Sequence, residues 1–311
     1  MQNGHGVIRQ ALFNFITFLR DISETDKKEY LILYEEPELF LHPKVTFKLR
    51  NALYDLAKNS PYQILCATHS PLMIDVSRPH ASLVRAVKVE SEETKTFQVG
   101  EDVFNKNEKR KQHVQMINRF NPHVCEAFYA DKVILVEGDT EAIVYRALLK
   151  EYYPEEEVFV LNTGSKNNIP FFQEILTAFH IEHYAIHDID TEFNSNGNHN
   201  SAWTLNQKIW DLVAAANQVQ SGLARRYVHN ANFENAHKYN LLDGANKPLQ
   251  ASKFVDKVIK GEIVNPDCKT WLDDIMGSKS VVHDMNYINS VKKTLEDIKR
   301  EEKDYISLEE D

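Results

Sequence analysis

KVILVEGDTEA, Lys132 to Ala142, and HYAIHDID, His183 to Asp190, are the stretches on which the fold of this chain turns. In the first, KVILV is too short for a helix and reads as a buried strand, and helical periodicity starts at Asp139. Glu137 then stands at the strand's carboxyl end and Glu141 four residues on, in the first helical turn, so both carboxylates can face one crevice. In the second stretch Asp188 and Asp190 end a later strand, and their period-two spacing points them the same way. Alone, a Glu-x-x-x-Glu serves a helix dipole and an Asp-x-Asp is a solvated loop. Together, after two strands in order, they predict converging carboxylates, hard oxygen ligands that suit Mg²⁺ or Mn²⁺. His180, His183 and His187 beside Asp188 do not have the spacing of a common zinc site.

Working outward, VFVLN (Val158 to Asn162) predicts a strand, Pro170 to Phe179 a helix, and the alternation a parallel, doubly wound α/β sheet. Thr191 to Asn200, rich in Asn, Gly and His, predicts an exposed loop. Beyond it, periodic stretches at Trp203 to Val219, Leu249 to Lys260 and Val281 to Arg300 predict a mainly helical remainder. Upstream, a helix from Ala11 to Arg20 precedes LILY (Leu31 to Tyr34) and ILCAT (Ile64 to Thr68), two short strands around a helical Lys44 to Lys58. SLVRAVKVE and TFQVG predict a strand pair, and the polar, lysine-rich Glu101 to Asn121 a linker or docking segment. The expected domains are 1–100, a linker at 101–125, 126–255, and a helical extension at 256–311.

LILYEEPELFLHP carries two acids to a strand end. Glu35 stands where a magnesium-orienting carboxylate belongs, and Glu36 where a base polarises the attacking water. After the next strand, in CATHSP, His69 is placed to meet a transferred phosphate.

These residues resemble the second half of ABC-type ATPase heads. NGHGVIRQ (Asn3 to Gln10, with Gly4 and Gly6) is similar to their signature loop, LILYEE to Walker B, ELFLHP to the D-loop and His69 to the switch histidine; Glu35 departs from the usual Asp. A phosphate-cradling GxxxxGK[ST] occurs nowhere in the sequence. The resemblance puts that loop N-terminal to the signature. The chain therefore reads as a truncated or natively split head that binds ATP only together with its Walker A half and by itself turns ATP over poorly.

EGDTE followed by DID resembles Toprim domains, and a Toprim domain directly after an ATPase head resembles the C-terminal part of the OLD (overcoming lysogenization defect) family, up to about Ala251. TGSKNNIP is similar to the family's loop after the second Toprim strand, where Gly164, Ser165 and Lys166 would touch a phosphate at a helix start. The family adds a C-terminal lysine that offsets transition-state charge. Lys247 in NKPLQA matches it, although the motif departs from the Gly-Arg-Phe form, and Lys238 and Lys253 are rivals. Glu234 in ANFENA is a candidate further ligand, and Glu192 a candidate flank to the Asp pair. The resemblance implies a DNA endonuclease that hydrolyses phosphodiesters with two metal ions, governed by an ATPase head, active in anti-phage defence, homodimeric and open to a partner protein. The alternatives are a Toprim ribonuclease or primase-like enzyme, and a non-catalytic, ATP-dependent assembly module. No tyrosine stands in an evident recombinase or topoisomerase motif.

Composition agrees with a globular, cytoplasmic chain. It has 311 residues, 42% hydrophobic and 26% charged, which is room for about two domains. No run of about 18 apolar residues predicts a membrane span, and MQNGHG does not read as a secretory leader. Cys66, Cys125 and Cys268 are far apart and predict neither disulfide nor zinc. A net charge of −10 excludes a wholly basic nucleic-acid coat, while Lys106 to Lys111, Arg225 to Arg226 and Lys292 to Arg300 are local basic clusters, either solvated or phosphate-binding.

Overall fold

The structure, a computed structural model, describes residues 11, 14, 15, 18, 29–58, 61–76, 78, 82–89, 93–100, 122–239, 246–306 and 308. The signature-like loop with Gly4 and Gly6, most of the expected first helix, and the linker at 101–121 lie outside the described residues. The chain divides into two compact units, Met1–Arg78 with Asn118–Cys125, and Pro79–Ile117 with Glu126–Asp311.

In the first unit, β1 (Tyr30–Glu35) and β2 (Tyr62–Ala67) pair in parallel, from Tyr30 opposite Tyr62 to Glu35 opposite Ala67, with α1 (Pro43–Lys58) between them in sequence. Strand alternation sorts the side chains. Tyr30, Ile32, Tyr34, Ile64 and Cys66 pack against Leu49, Leu53 and Leu56, which share one face of α1, and Met73. Leu31, Leu33 and Leu65 point the other way, each about 65% exposed (65%, 65% and 64%).

The second unit is built on a four-stranded parallel sheet of β5 (Lys132–Val136), β6 (Val158–Asn162), β7 (Glu182–Asp188) and β8 (Ala224–His229), in the order β6-β5-β7-β8. Its helices are α2 (Asp139–Tyr152), α3 (Ile169–Ala178), α4 (Ser201–Val219), α5 (Phe233–His237), α6 (Lys247–Ile259), α7 (Asp267–Met276), α8 (Met285–Val291) and α9 (Leu295–Glu301). β5 and β6 are apolar runs, as expected of strands covered on both faces. Tyr145 and Leu148 of α2, Phe254 and Val255 of α6, and Trp271, Leu272 and Ile275 of α7 join Ile134, Val136, Tyr184, Ile186 and Tyr227 in one core. The helical C-terminal part thus completes the sheet's core. α3 and α4 pack on each other, α3 also on β7 and α4 on β8.

The hairpin of β3 (Val84–Lys88) and β4 (Thr94–Gln98) belongs to this unit, although the sequence reading grouped it with residues 1–100. Arg85 donates to the carbonyls of Phe179 (3.1 Å) and Ala130 (3.4 Å), and Phe97 stacks on His180 at 4.2 Å.

Strand β8 lies within the remainder, which is mainly helical as expected, and was not itself anticipated. ARRYVH is a strand whose apolar pattern is broken by two arginines. Arg226 is nonetheless 1% exposed. Its guanidinium donates to the carbonyls of Asn206 (2.6 Å) and His283 (2.8 Å) and lies 4.9 Å from the Trp210 ring, so the buried charge keeps its hydrogen bonds. This half of the Arg225 to Arg226 cluster is structural.

Candidate metal centre

Chain order β5, β6, β7 against sheet order β6-β5-β7 makes the strand sequence reverse direction between β5 and β7. A crevice opens at such a switch point, outside the carboxyl ends of the strands. Here it is a cleft of about 450 Å³ whose lining includes Glu137, Glu141, Asp188, Asp190, Glu234, Lys166 and Lys247.

The acids reach the cleft from four element ends. Glu137 follows β5 directly and accepts the Asp188 N–H at 2.8 Å, which ties the ends of β5 and β7 together. Glu141, 5% exposed, sits in the first turn of α2. Asp188 is the last residue of β7. Asp190 lies beyond the strand in the left-handed region (φ 61°), its N–H held by the Ala231 carbonyl at 2.8 Å, so it arrives by a turn and not by strand alternation. Glu234 opens α5, where the Asn232 side chain caps the helix by accepting the Asn235 N–H at 2.8 Å.

The loop after β6 is fixed by its own sequence. Gly164 adopts φ 73°, a conformation that favours glycine, and its N–H donates to Asn162 Oδ1 at 2.8 Å. The Thr163 hydroxyl bonds the Val136 carbonyl at 2.8 Å and Ser165 caps the short turn that follows. Gly164, Ser165 and Lys166 all line the cleft. Lys166 is 4% exposed, with its ammonium turned into the acids, 2.7 Å from Asp190 Oδ2 and bonded to the Asp188 carbonyl. Of the three candidate lysines, Lys247 at the start of α6 lines the cleft, 3.1 Å from Glu234 Oε1, and Lys238 and Lys253 do not. Glu192 pairs with Lys292 at 2.7 Å and does not line the cleft either.

One contributor was missed. His229 ends β8, opposite Asp188 in the parallel register, and is fully buried. Ligand atoms of Glu141, Asp188 and His229 lie within 4.8 Å of one another. The signal was the end of a fourth strand, which becomes readable only once ARRYVH is recognised as one. The other histidines disperse: His183 and His187 are buried, bonding the carbonyls of Ile181 (2.9 Å) and Asp188 (2.8 Å), while His180 bonds Gln220 at 3.3 Å.

Burial dominates the electrostatics. It pushes Glu137 up to about 8, against the pull of Lys166, with Asp190 adding to the rise. It raises Glu141 as well, and Asp188 strongly, the latter helped by Glu137 and Glu141. Burial likewise holds His229 well below the usual histidine range, hence neutral. Acids crowded out of water need protons or cations to neutralise them. Asp188 Oδ1 lies 3.2 Å from His229 Nδ1, and among the described residues the buried Nε2 of His229 has no hydrogen-bond partner. Crowded, desolvated carboxylates with a neutral imidazole within 4.8 Å of Glu141 and Asp188 fit a divalent cation.

In the first unit, Glu36 follows β1 with φ 48°, its N–H bonded to the Ala67 carbonyl at 2.9 Å. His69 Nε2 lies 3.0 Å from Glu36 Oε1, and the Thr68 hydroxyl bonds Glu38. The two strand ends thus bring Glu36 and His69 together, beside Glu35 at the end of β1.

A parallel sheet with an acidic switch-point cleft after EGxTE and DxD defines a Toprim-type domain. Residues 128–190 match the family described as overcoming lysogenization defect protein-like, TOPRIM domain, and residues 1–74 match the AAA ATPase domain. The two matches place an AAA-type segment before an OLD-like Toprim domain, an order in which the chain is similar to OLD proteins. It is 29% identical over 198 residues to Old nuclease of Escherichia phage P2, covering 60% of this chain and 33% of that protein. It is 28% identical over 163 residues to OLD nuclease of Thermus scotoductus, covering 51% and 30%. It is 28% identical over 167 residues to Endonuclease GajA of Bacillus cereus, covering 52% and 26%. The chain thus spans a third or less of the length of these curated relatives. Among the described residues, no helix is long and apolar enough to cross a membrane.

Proposed function

We propose that this chain is the nuclease-bearing part of an OLD-type enzyme and that its cleft hydrolyses DNA phosphodiesters with Mg²⁺ or Mn²⁺. The observation that carries the reading is the convergence of Glu137, Glu141, Asp188 and Glu234 with Lys166 and Lys247 in one switch-point cleft. Glu141 and Asp188 would hold the metal, with Glu137, Asp190 and Glu234 as the acids available to a second ion. When bound, the metal supplies an activated water and neutralises the leaving oxygen.

The chain's own groups do the rest. Glu137 fixes Asp188 through its backbone N–H. Lys166 holds Asp190. Lys247, whose side chain is 60% exposed at the rim, is free to swing from Glu234 toward a phosphate and offset developing charge. Glu35, Glu36 and His69 are proposed as the ATP-facing groups of a head that controls access. Homodimerisation and a defence role belong to the same proposal and rest on kinship, and a cytoplasmic place rests on composition; of the domain reading at 1–100, 101–125, 126–255 and 256–311, the Toprim core is kept, with the 84–98 hairpin and the C-terminal helices joined to it.

The test is cleavage of supercoiled plasmid by the full chain with Mg²⁺, Mn²⁺ or EDTA, beside a Glu137→Ala, Asp188→Ala double variant. Nicking or linearisation that needs metal and disappears in the variant is expected. Cleavage that persists in EDTA or in the variant would overturn the site, and cleavage of RNA in place of DNA would move the reading to a Toprim ribonuclease.

A further inference from the structure

Residue His229 has no task in carboxylate-only chemistry, yet its position is specific. It closes β8, directly beside Asp188 at the end of β7. The ring is completely buried, packed against Phe233 (4.9 Å between centroids), Trp271 (4.8 Å) and His237 (5.5 Å), which leaves it little rotational freedom. Its Nδ1 lies 3.2 Å from Asp188 Oδ1, and among the described residues the buried Nε2 has no partner. A buried ring nitrogen left without a partner is costly. One ring nitrogen thus faces Asp188 and the other is left without a protein partner.

We infer that His229 is a nitrogen ligand of the metal held by Glu141 and Asp188, and that it tilts this centre toward Mn²⁺ and away from Mg²⁺. The three ligand atoms lie within 4.8 Å of one another. Ligands on one octahedral ion at about 2.1 Å are separated by roughly 3 to 4 Å, so modest side-chain rotation closes the set. Magnesium keeps to oxygen donors and demands near-ideal geometry, whereas a first-row transition ion accepts imidazole beside carboxylate. The phenyl and indole walls around the ring exclude water that would otherwise compete for the position. The inference deepens the proposed nuclease site by naming a ligand and the preference it creates.

Two measurements on the full chain test it, neither depending on turnover. Pulsed EPR of the Mn²⁺-loaded chain should show coupling to a directly bound nitrogen, and that coupling should change when histidine is labelled with ¹⁵N. Calorimetric titration should show Mn²⁺ binding weakened by about tenfold or more in His229→Gln, with Mg²⁺ binding changed far less. The wild-type spectrum does not depend on how the variant folds, and circular dichroism checks the variant. Mn²⁺ bound without nitrogen coupling would overturn the His229 ligand and leave the carboxylate site standing. No Mn²⁺ binding at all would overturn both the ligand and the metal-dependent reading.

Discussion

The two parallel sheets of this chain meet the same physical demand in different ways. In the second unit four strands are covered on both faces, and even the guanidinium of Arg226 is enclosed with its hydrogen bonds satisfied. In the first unit two described strands bury one face against α1, while Leu31, Leu33 and Leu65 stay exposed on the other. The acids at their ends differ accordingly. Glu137, Glu141 and Asp188 are desolvated and raised, whereas Glu36 meets a His69 side chain that is 88% exposed. The difference teaches that a strand-end carboxylate gains its chemical character from enclosure. By this measure the second unit holds a preformed site, and the first a pair of groups still open to solvent.

The comparison can be broken most easily at the enclosed site. Asp188→Asn or Glu141→Gln should lower metal-dependent cleavage by roughly a thousandfold, since metal stabilisation of the transition state is worth several kcal/mol. Initial rates on plasmid measure this, and a loss below tenfold would mean that the enclosed acids are not the ligands.

Next in size is the core that encloses them. Leu272→Ala, at a position with no solvent exposure beneath the sheet, should cost about 2–5 kcal/mol in denaturant unfolding followed by a probe in the second unit.

A smaller effect is expected from pH. The carboxyl of Glu137 is raised from 4.5 to about 8, so the metal-free folded chain holds a proton that the unfolded chain has released. That contribution is full below the ordinary carboxylate value and is lost as pH rises toward 8. His183, His237 and His283, lowered from 6.5 to about 4, act in the opposite sense, and their contribution is lost as pH falls from 6.5 toward 4. The interval from 6.5 to 8 therefore isolates the acids. In EDTA the melting temperature should fall across it, the fall should flatten in Glu137→Gln, and added Mn²⁺ should raise the melting temperature most at its upper end.

The smallest effect belongs to the open face of the first unit. Leu33→Ala should change stability by about 0.5 kcal/mol or less, because little is buried there. A cost comparable to that of Leu272→Ala would mean that this face is covered in solution and would erase the contrast between the sheets.

Much of this arrangement was legible in the sequence because it is local. Short apolar runs ending in acid marked β1, β5 and β7, and helical spacing marked α1 to α4. The acids of the cleft were legible as a set, since strand ends and helix starts in a parallel sheet point to one edge. What escaped was set by distance along the chain. Strand β8 was hidden because Arg226 is satisfied by carbonyls 20 and 57 residues away in sequence, which no local pattern encodes. His229 escaped with it. The inward turn of Lys166 depends on Asp188 and Asp190 lying across the switch point, although its loop was recognised.

The account stands most directly on the enclosed acids acting as metal ligands. Anomalous diffraction from crystals of the full chain soaked in Mn²⁺, collected on both sides of the manganese edge, tests this without reference to activity. The account predicts a peak in the cleft within bonding distance of Glu141 and Asp188, absent in Asp188→Asn. A cleft without a manganese peak, or manganese bound only at Glu35 and Glu36 of the first unit, would contradict it.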